Sequence, residues 1–251
     1  MKRIKMLNEK QRERYSRQLL SEWVGEEGQE KLSQLKVLQI GAGGLGSPFA
    51  LYIVAAGIGE LTILDNDEVS LSNLQRQILY NEQDIGYDKV EITKKKLSAL
   101  NSNITIHAHK EYVDDKSIQK YIDDIDFIVD CSDNMATKFL VNRVAVEHNI
   151  NCVIAGIKDF YGQIMTVDPQ TSACYECVYT EQEEMKDRST PLPIIGGTAG
   201  VLGSLEALEV IKTALGLPNL ENKLLMVDLL NMTFDKIQVV KNEDCMCSAK
   251  K

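Results

Sequence analysis

The sequence predicts an α/β fold, a Rossmann-like, doubly wound and mostly parallel sheet with an N-terminal helical segment and a C-terminal antiparallel extension. Three observations predict it. Short apolar runs of strand length alternate with longer runs of helical periodicity, the pattern of a parallel sheet with crossover helices. A glycine-rich turn follows the first apolar run directly. After Gly156 the alternation gives way to short runs that read as a strand, a helix and a closing hairpin.

Each element follows in order. Residues 8–33 are polar and helical in rhythm, with Tyr15, Leu19, Leu20 and Trp23 as apolar anchors, and read as a surface helix pair. A buried strand at 37–40 runs into the glycine turn at 41–46. A helix at 47–57 tolerates Pro48 in its first turn. A second strand at 61–64 ends at Asp65, completing a β-α-β unit. Helices are expected at 89–100, 116–122 and 134–148, and strands at 104–108, 126–130, 151–155 and 163–167. The stretch 180–193 is polar, acidic and proline-punctuated, so it reads as a loop. A helix at 195–215, stopped by Gly216 and Pro218, precedes a hairpin of 224–228 with 234–240.

Composition narrows the function. The 251 residues suffice for one sizeable core. A formal net charge of −9 argues against a nucleic-acid partner, whereas a basic protein tail would be attracted. Residues 1–9 lack the apolar core of a signal peptide, and no apolar run is long enough to span a bilayer, so a cytoplasmic protein is expected. Structural disulfides are then not expected among the six cysteines. Cys174-x-x-Cys177 and Cys245-x-Cys247 instead offer four thiolates in two pairs, which fit a tetrahedral structural zinc site; free thiols, or a redox pair at Cys174 and Cys177, are the alternative. Cys131 and Cys152 read as small apolar core residues. His107, His109 and His148 lie away from the motifs.

The glycines at 41, 43 and 46 form G-x-G-x-x-G between a strand and a helix, where backbone N–H groups approach a phosphate. Asp65 closes the next strand, where a carboxylate bonds ribose hydroxyls. A nicotinamide-dependent oxidoreductase would share these features, as would a nucleotide-sensing scaffold. Chemistry at the α-phosphate of ATP additionally requires cations and a metal-holding acid around one point. The candidates are Asp67, the stretch 72–77, Lys89, and Asp133 beyond the end of a strand.

These motifs resemble the MoeB/ThiF/HesA family, the bacterial relatives of ubiquitin-activating enzymes. The resemblance is carried by Arg14-Tyr15-Ser16-Arg17-Gln18, the glycine turn 41–46, Asp65-Asn66-Asp67, the stretch 72–77, Lys89, and Asp130-Cys131-Ser132-Asp133-Asn134, in the family's order and spacing. It implies a single adenylation domain over 1–251: a helical segment at 8–33, a nucleotide-binding core at 34–156, and a carrier-binding, zinc-bearing part at 157–251. It implies that Gly41, Gly43, Gly44 and Gly46 lie against ATP and that Asp65 holds the ribose. Asp67, Asn73 and Arg76 would line the triphosphate, with Gln77 beside them, and Ser72, Leu74 and Gln75 would belong to the same cofactor-binding set. Lys89 would neutralise phosphate charge, Asp133 would hold Mg²⁺, and Asn134 would sit near the base or ribose. Arg17, which by itself reads as a solvated helix charge, would reach into the neighbouring subunit of a homodimer. With Arg76, Lys89 and Asp133 it completes the expected catalytic set. The family also carries the zinc site, usually with C-x-x-C as its second pair.

The implied reaction is ATP-dependent adenylation of the C-terminal Gly-Gly carboxylate of a small ubiquitin-like sulfur carrier protein, in molybdopterin or thiamine biosynthesis, with a sulfurtransferase acting downstream. The carrier tail would run under the loop at 180–193. That loop has no cysteine, with Arg188-Ser189-Thr190 in its place, so a released or handed-over acyl adenylate is the expected product. A peptide- or tRNA-modifying adenylating relative is the nearest alternative.

Overall fold

The computed structural model describes residues 7–180 and 192–248. Its strands are β1 (Lys36–Ile40), β2 (Glu60–Asp65), β3 (Thr105–Lys110), β4 (Phe127–Asp130), β5 (Asn151–Lys158), β6 (Tyr161–Val167), β7 (Lys223–Asp228) and β8 (Thr233–Gln238). They form one sheet in the order β3-β2-β1-β4-β5-β6-β7-β8. The first five are parallel, and β5 to β8 are joined antiparallel. The predicted fold class therefore stands, including the antiparallel extension.

The longer helices are α4 (Gly46–Ala56), α5 (Lys89–Leu100), α6 (Met135–His148) and α7 (Gly196–Ala214). Residues of α4, α5 and α7 share one core with Val37, Val129 and Val153. Residues of α6 share another with Leu38, Ile128 and Ile154. Adjacent residues of one strand thus enter opposite cores. The central strands are covered on both faces, which is why they read as continuous apolar runs rather than alternating ones.

Two expectations are corrected. The 8–33 segment is not a helix pair but three short helices, α1 (Glu9–Arg14), α2 (Ser16–Leu19) and α3 (Gly25–Leu32). It is tied down by Tyr15, whose buried hydroxyl accepts from Asn101 Nδ2 at 2.9 Å, and by Gln29 Nε2, which donates to the Ala56 carbonyl at 2.8 Å. The expected helix at 116–122 is a single 3₁₀ turn, Ile118–Lys120. Here Asp114 Oδ1 accepts the N–H groups of Lys116 and Ser117, and Ser117 Oγ donates to the Tyr112 carbonyl. Asp114 and Ser117 thus cap the start of a turn, which breaks off where the backbone leaves helical angles at Tyr121 (φ −123°, ψ 1°). In addition, β5 and β6 extend to a tight hairpin over Asp159 and Phe160, with Asp159 at φ 57°.

A buried acid sits between α7 and the sheet. Glu206 is fully buried, its Oε2 accepts from the Cys131 thiol at 3.6 Å, and its Oε1 has no partner among the described residues. Burial, then repulsion from Asp130, raises its carboxyl well above the ordinary 4.5. Above 4.5 the unfolded chain releases this proton while the folded chain keeps it. The group therefore costs stability as pH rises through that window, by up to about 1.4 kcal/mol per pH unit. Glu206→Gln is expected to be the more stable protein at neutral pH. Urea unfolding of both proteins at several pH values checks this: the stability difference should widen with pH, and a constant difference would exclude it.

Candidate active site

The cavity opens where the strand order reverses between β1 and β4, at the carboxyl ends of the strands, as doubly wound sheets predict. Its volume is about 970 Å³, near the upper end of ordinary ligand pockets. One lobe is bounded by the glycine turn, Asp65 to Asp67 and the segment after β4; the other follows β5 and β6 through Lys158, Tyr161 and Gln163 to Met226.

The glycine turn is shaped by close approach. A Cβ on Gly46 would fall 2.2 Å from the Gly41 carbonyl oxygen, and Gly41 has φ 92° with the Cys131 carbonyl against it. Gln39, buried in β1, donates through Nε2 to the Gly41 carbonyl at 2.8 Å and the Gly46 carbonyl at 3.2 Å. Asp65 fixes the other side, accepting from the Ala42 N–H at 2.7 Å and the Asp67 N–H at 2.8 Å. The turn leads into α4, whose N-terminus carries partial positive charge toward the cavity.

Most of the expected residues meet here. Gly41, Gly43, Gly44, Asp65, Asp67, Asn73, Arg76, Gln77, Lys89, Asp133 and Asn134 all line the cavity. A Cβ built on Gly44 would touch Arg76 Cγ at 3.4 Å, so the arginine runs across the glycine turn. Lys89 is almost fully buried, and its Nζ pairs with Asp67 Oδ2 at 2.8 Å. An ammonium has three N–H donors, so this pairing leaves donors for a phosphate. Gln77 is buried against Gly43, and its Oε1 has no hydrogen-bond partner among the described residues. Burial pushes the Asp65 carboxyl up, opposed by Lys89 and the two N–H bonds it accepts.

The remaining candidates lie elsewhere. Gly46 does not line the cavity, because its absent side chain makes room for the Gly41 carbonyl. Ser72, Leu74 and Gln75 are also outside the lining. The Ser72 carbonyl accepts from Arg76 at 3.0 Å, Leu74 packs on the core, and Gln75 reaches the Ile194 carbonyl at 3.5 Å. Of the three, only Ser72 holds Arg76 directly. Arg17 is exposed on α2, outside the cavity lining and without a hydrogen bond or ion pair among the described residues. The cap of α6 is Asn134, whose Oδ1 accepts the Thr137 N–H at 2.8 Å, so Asp133 stays exposed at the cavity wall. Most of the 180–193 loop, including Arg188, Ser189 and Thr190, lies outside the described residues; Leu192 and Ile194 line the cavity.

Lys138, like Gln39, was not singled out from the sequence. It is buried on α6 and donates to Asp130 Oδ2 at 2.6 Å, the Ala155 carbonyl at 2.6 Å and the Ser132 carbonyl at 3.0 Å. It thereby joins β4, β5 and the segment that presents Asp133. A lone lysine within the otherwise apolar stretch around Phe139 was the available signal. The loop 111–113 and Tyr179, also in the lining, carried no such signal.

The four cysteines come together although they are about 70 residues apart. Cys174 and Cys245 Sγ are 3.4 Å apart, as are Cys177 and Cys247, and all four Sγ atoms lie within 4.8 Å of one another. A tetrahedral zinc with bonds of about 2.3 Å requires edges of roughly 3.8 Å. The donor set therefore fits that ion, and the tighter C-x-C spacing does not prevent it.

Comparison with known proteins agrees with this geometry. The profile of the ThiF family matches residues 15–249. This chain belongs to the ThiF family. Among its relatives, the sulfur carrier protein ThiS adenylyltransferase of Escherichia coli is 36% identical over 88% of this chain and 89% of that protein. The adenylyltransferase and sulfurtransferase MOCS3 of Aedes aegypti is 37% identical over 98% of this chain, which spans only 57% of that longer protein. A crystal structure of E. coli MccB with ATP superposes with a TM-score of 0.84 at 25% identity, covering 96% of this chain and 75% of that one. None of the three is named as an oxidoreductase, so the nicotinamide alternative finds no support among them.

The Asp130–Lys138 pair supplies a test of how the cavity wall is held. Lys138→Met strands a buried carboxylate and is expected to cost about 3–5 kcal/mol, whereas the double change with Asp130→Asn should recover much of it. Urea unfolding of the three proteins measures both.

Proposed function

We propose that this chain uses ATP to adenylate the C-terminal carboxylate of a small ubiquitin-like sulfur carrier protein ending in Gly-Gly, of the molybdopterin or thiamine biosynthesis type. One observation carries the reading: Arg76, Lys89 and Asp133 border the same cavity as the glycine turn, and that cavity continues along β5 and β6. The name of the Escherichia coli relative, a sulfur carrier protein adenylyltransferase, supports the choice of substrate.

In this reading the nucleotide occupies the first lobe, with Asp65 at the ribose and the glycine turn at the phosphates. The carrier tail enters along the second lobe, past Lys158, Tyr161 and Gln163. A carboxylate oxygen attacks the α-phosphorus, the bond from that phosphorus to the bridging oxygen breaks, and pyrophosphate leaves. No proton moves, because the nucleophile is already ionised; the site accordingly needs no general base. The obstacle is repulsion between two anions. Arg76 and Lys89 offset it, and they gain most as charge gathers on the leaving group. Asp133, exposed and unpaired among the described residues, would hold a Mg²⁺ ion, which supplies further charge neutralisation when bound. Arg76→Ala and Asp133→Ala should each lower carrier-dependent ATP–pyrophosphate exchange by about 100-fold. Exchange at the wild-type rate in both would exclude the mechanism, and the same assay with different carriers identifies the partner.

The four thiolates hold a structural zinc that ties the tail after β8 to the turn after β6. Among the described residues no helix is long and apolar enough to cross a membrane, in keeping with a cytoplasmic enzyme. The protein acts as a homodimer. Leu20 and Trp23 are exposed beside Arg17, and Tyr52 and Leu208 are exposed on the adjacent helices α4 and α7. Tyr15 and Gln18 of the same segment are engaged with their own chain, leaving Arg17 outward for a neighbour's cavity. If so, two inactive variants should complement. Mixing Arg17→Ala with Asp133→Ala subunits regenerates one intact site in each mixed dimer, or about a quarter of wild-type activity after free exchange. No recovery would place Arg17 outside the chemistry.

A further inference from the structure

The cysteine cluster has a polar neighbour on the helix that also supports the nucleotide cavity. Asn134 caps α6, and Lys138 and Asn142, spaced by four on that helix, share one face. Asn142 is completely buried. Its Oδ1 accepts the Tyr175 N–H at 2.8 Å. Its Nδ2 donates to Glu176 Oε2 at 2.9 Å and to Cys174 Sγ at 3.6 Å. A primary amide has two N–H donors and one carbonyl acceptor. Every polar group of Asn142 is thus spent on the three consecutive residues 174–176.

Burying an amide among apolar neighbours such as Phe139 and Val141 is costly unless its bonds are worth having. Holding the backbone of the turn requires only the carbonyl oxygen. The N–H aimed at sulfur is weak against a neutral thiol and roughly doubles in strength against a thiolate. A second donor of the same kind is present, since the Asn242 N–H points at Cys177 Sγ at 3.4 Å. Four thiolates around one dication keep a net negative charge, and N–H donors outside the ligand shell spread it.

We propose that Asn142 is an outer-sphere positioning residue of the zinc site, its amide N–H holding Cys174 as the metal-bound thiolate. The assignment rests on the zinc reading given above, and its test separates the two. Zinc content is measured by atomic emission on the purified chain, and zinc affinity by competition with a chromogenic chelator. Thermal unfolding is followed with zinc and with EDTA. The wild type should hold one zinc per chain; a wild type without zinc overturns the zinc reading, and this assignment with it.

Asn142→Ala should bind zinc about 10–100-fold more weakly. The pair Asn142→Asp with Glu176→Gln keeps the net charge and an acceptor for the Tyr175 N–H, but sets a carboxylate oxygen where the donor to sulfur stood. It should be weakened at least as much, the loss being read as the zinc-dependent rise in Tm above the same variant's own Tm in EDTA. Affinity within about threefold of wild type in the charge-swapped pair overturns the assignment, because a residue that merely holds the turn would leave it there. Should the alanine variant fail to fold, the charge-swapped pair alone decides.

Discussion

The close approach of two backbone segments at the β1–α4 turn is the constraint on which the rest depends. Gly46 lies so near the Gly41 carbonyl that no side chain fits, and this lets α4 start directly beneath the cavity. The turn is then gripped from both sides, by Gln39 from the strand below and by Asp65 from the neighbouring strand. A phosphate would meet N–H groups that are already oriented, so little ordering remains to be done when it binds.

Around that turn, charge is held by burial as much as by proximity. Lys89 and Lys138 are both buried lysines, each neutralised by an aspartate. They play different parts. Lys89 faces the cavity through Asp67, whose side chain is largely exposed, so its charge is available to a ligand. Lys138 faces Asp130, which is wholly buried, and spends its other donors on two carbonyls. The first arrangement can exchange partners; the second is a brace. Helix α6 connects that brace to the cysteine cluster, since the same face that carries Lys138 also carries Asn142.

The cavity-lining motifs were legible in the sequence because each is local. A glycine turn after a strand, an aspartate closing the next strand and a charged stretch beyond it are all read from short spacing. The N-cap of α6 shows how narrow the margin is: Asp133 and Asn134 are both good caps, and only the structure assigns the role to Asn134, leaving Asp133 free. Gln39 and Lys138 escaped notice because a polar residue in an apolar run declares its purpose only through its partners. The failed helix at 116–122 shows the converse, since Asp114 and Ser117 do cap a helical start, yet the chain leaves helical angles at Tyr121 after a single 3₁₀ turn.

By itself the sequence determined the alternation of strands and helices, the glycine turn, the family resemblance and the pairing of cysteines by type, because periodicity and spacing act over a few residues. Only the tertiary structure decided which of these meet. It brought Cys245 and Cys247 to Cys174 and Cys177, set Arg76 across the glycine turn, and turned Arg17 outward. Such contacts join residues far apart in the chain. Strand order and helix packing determine them, and no local pattern encodes them.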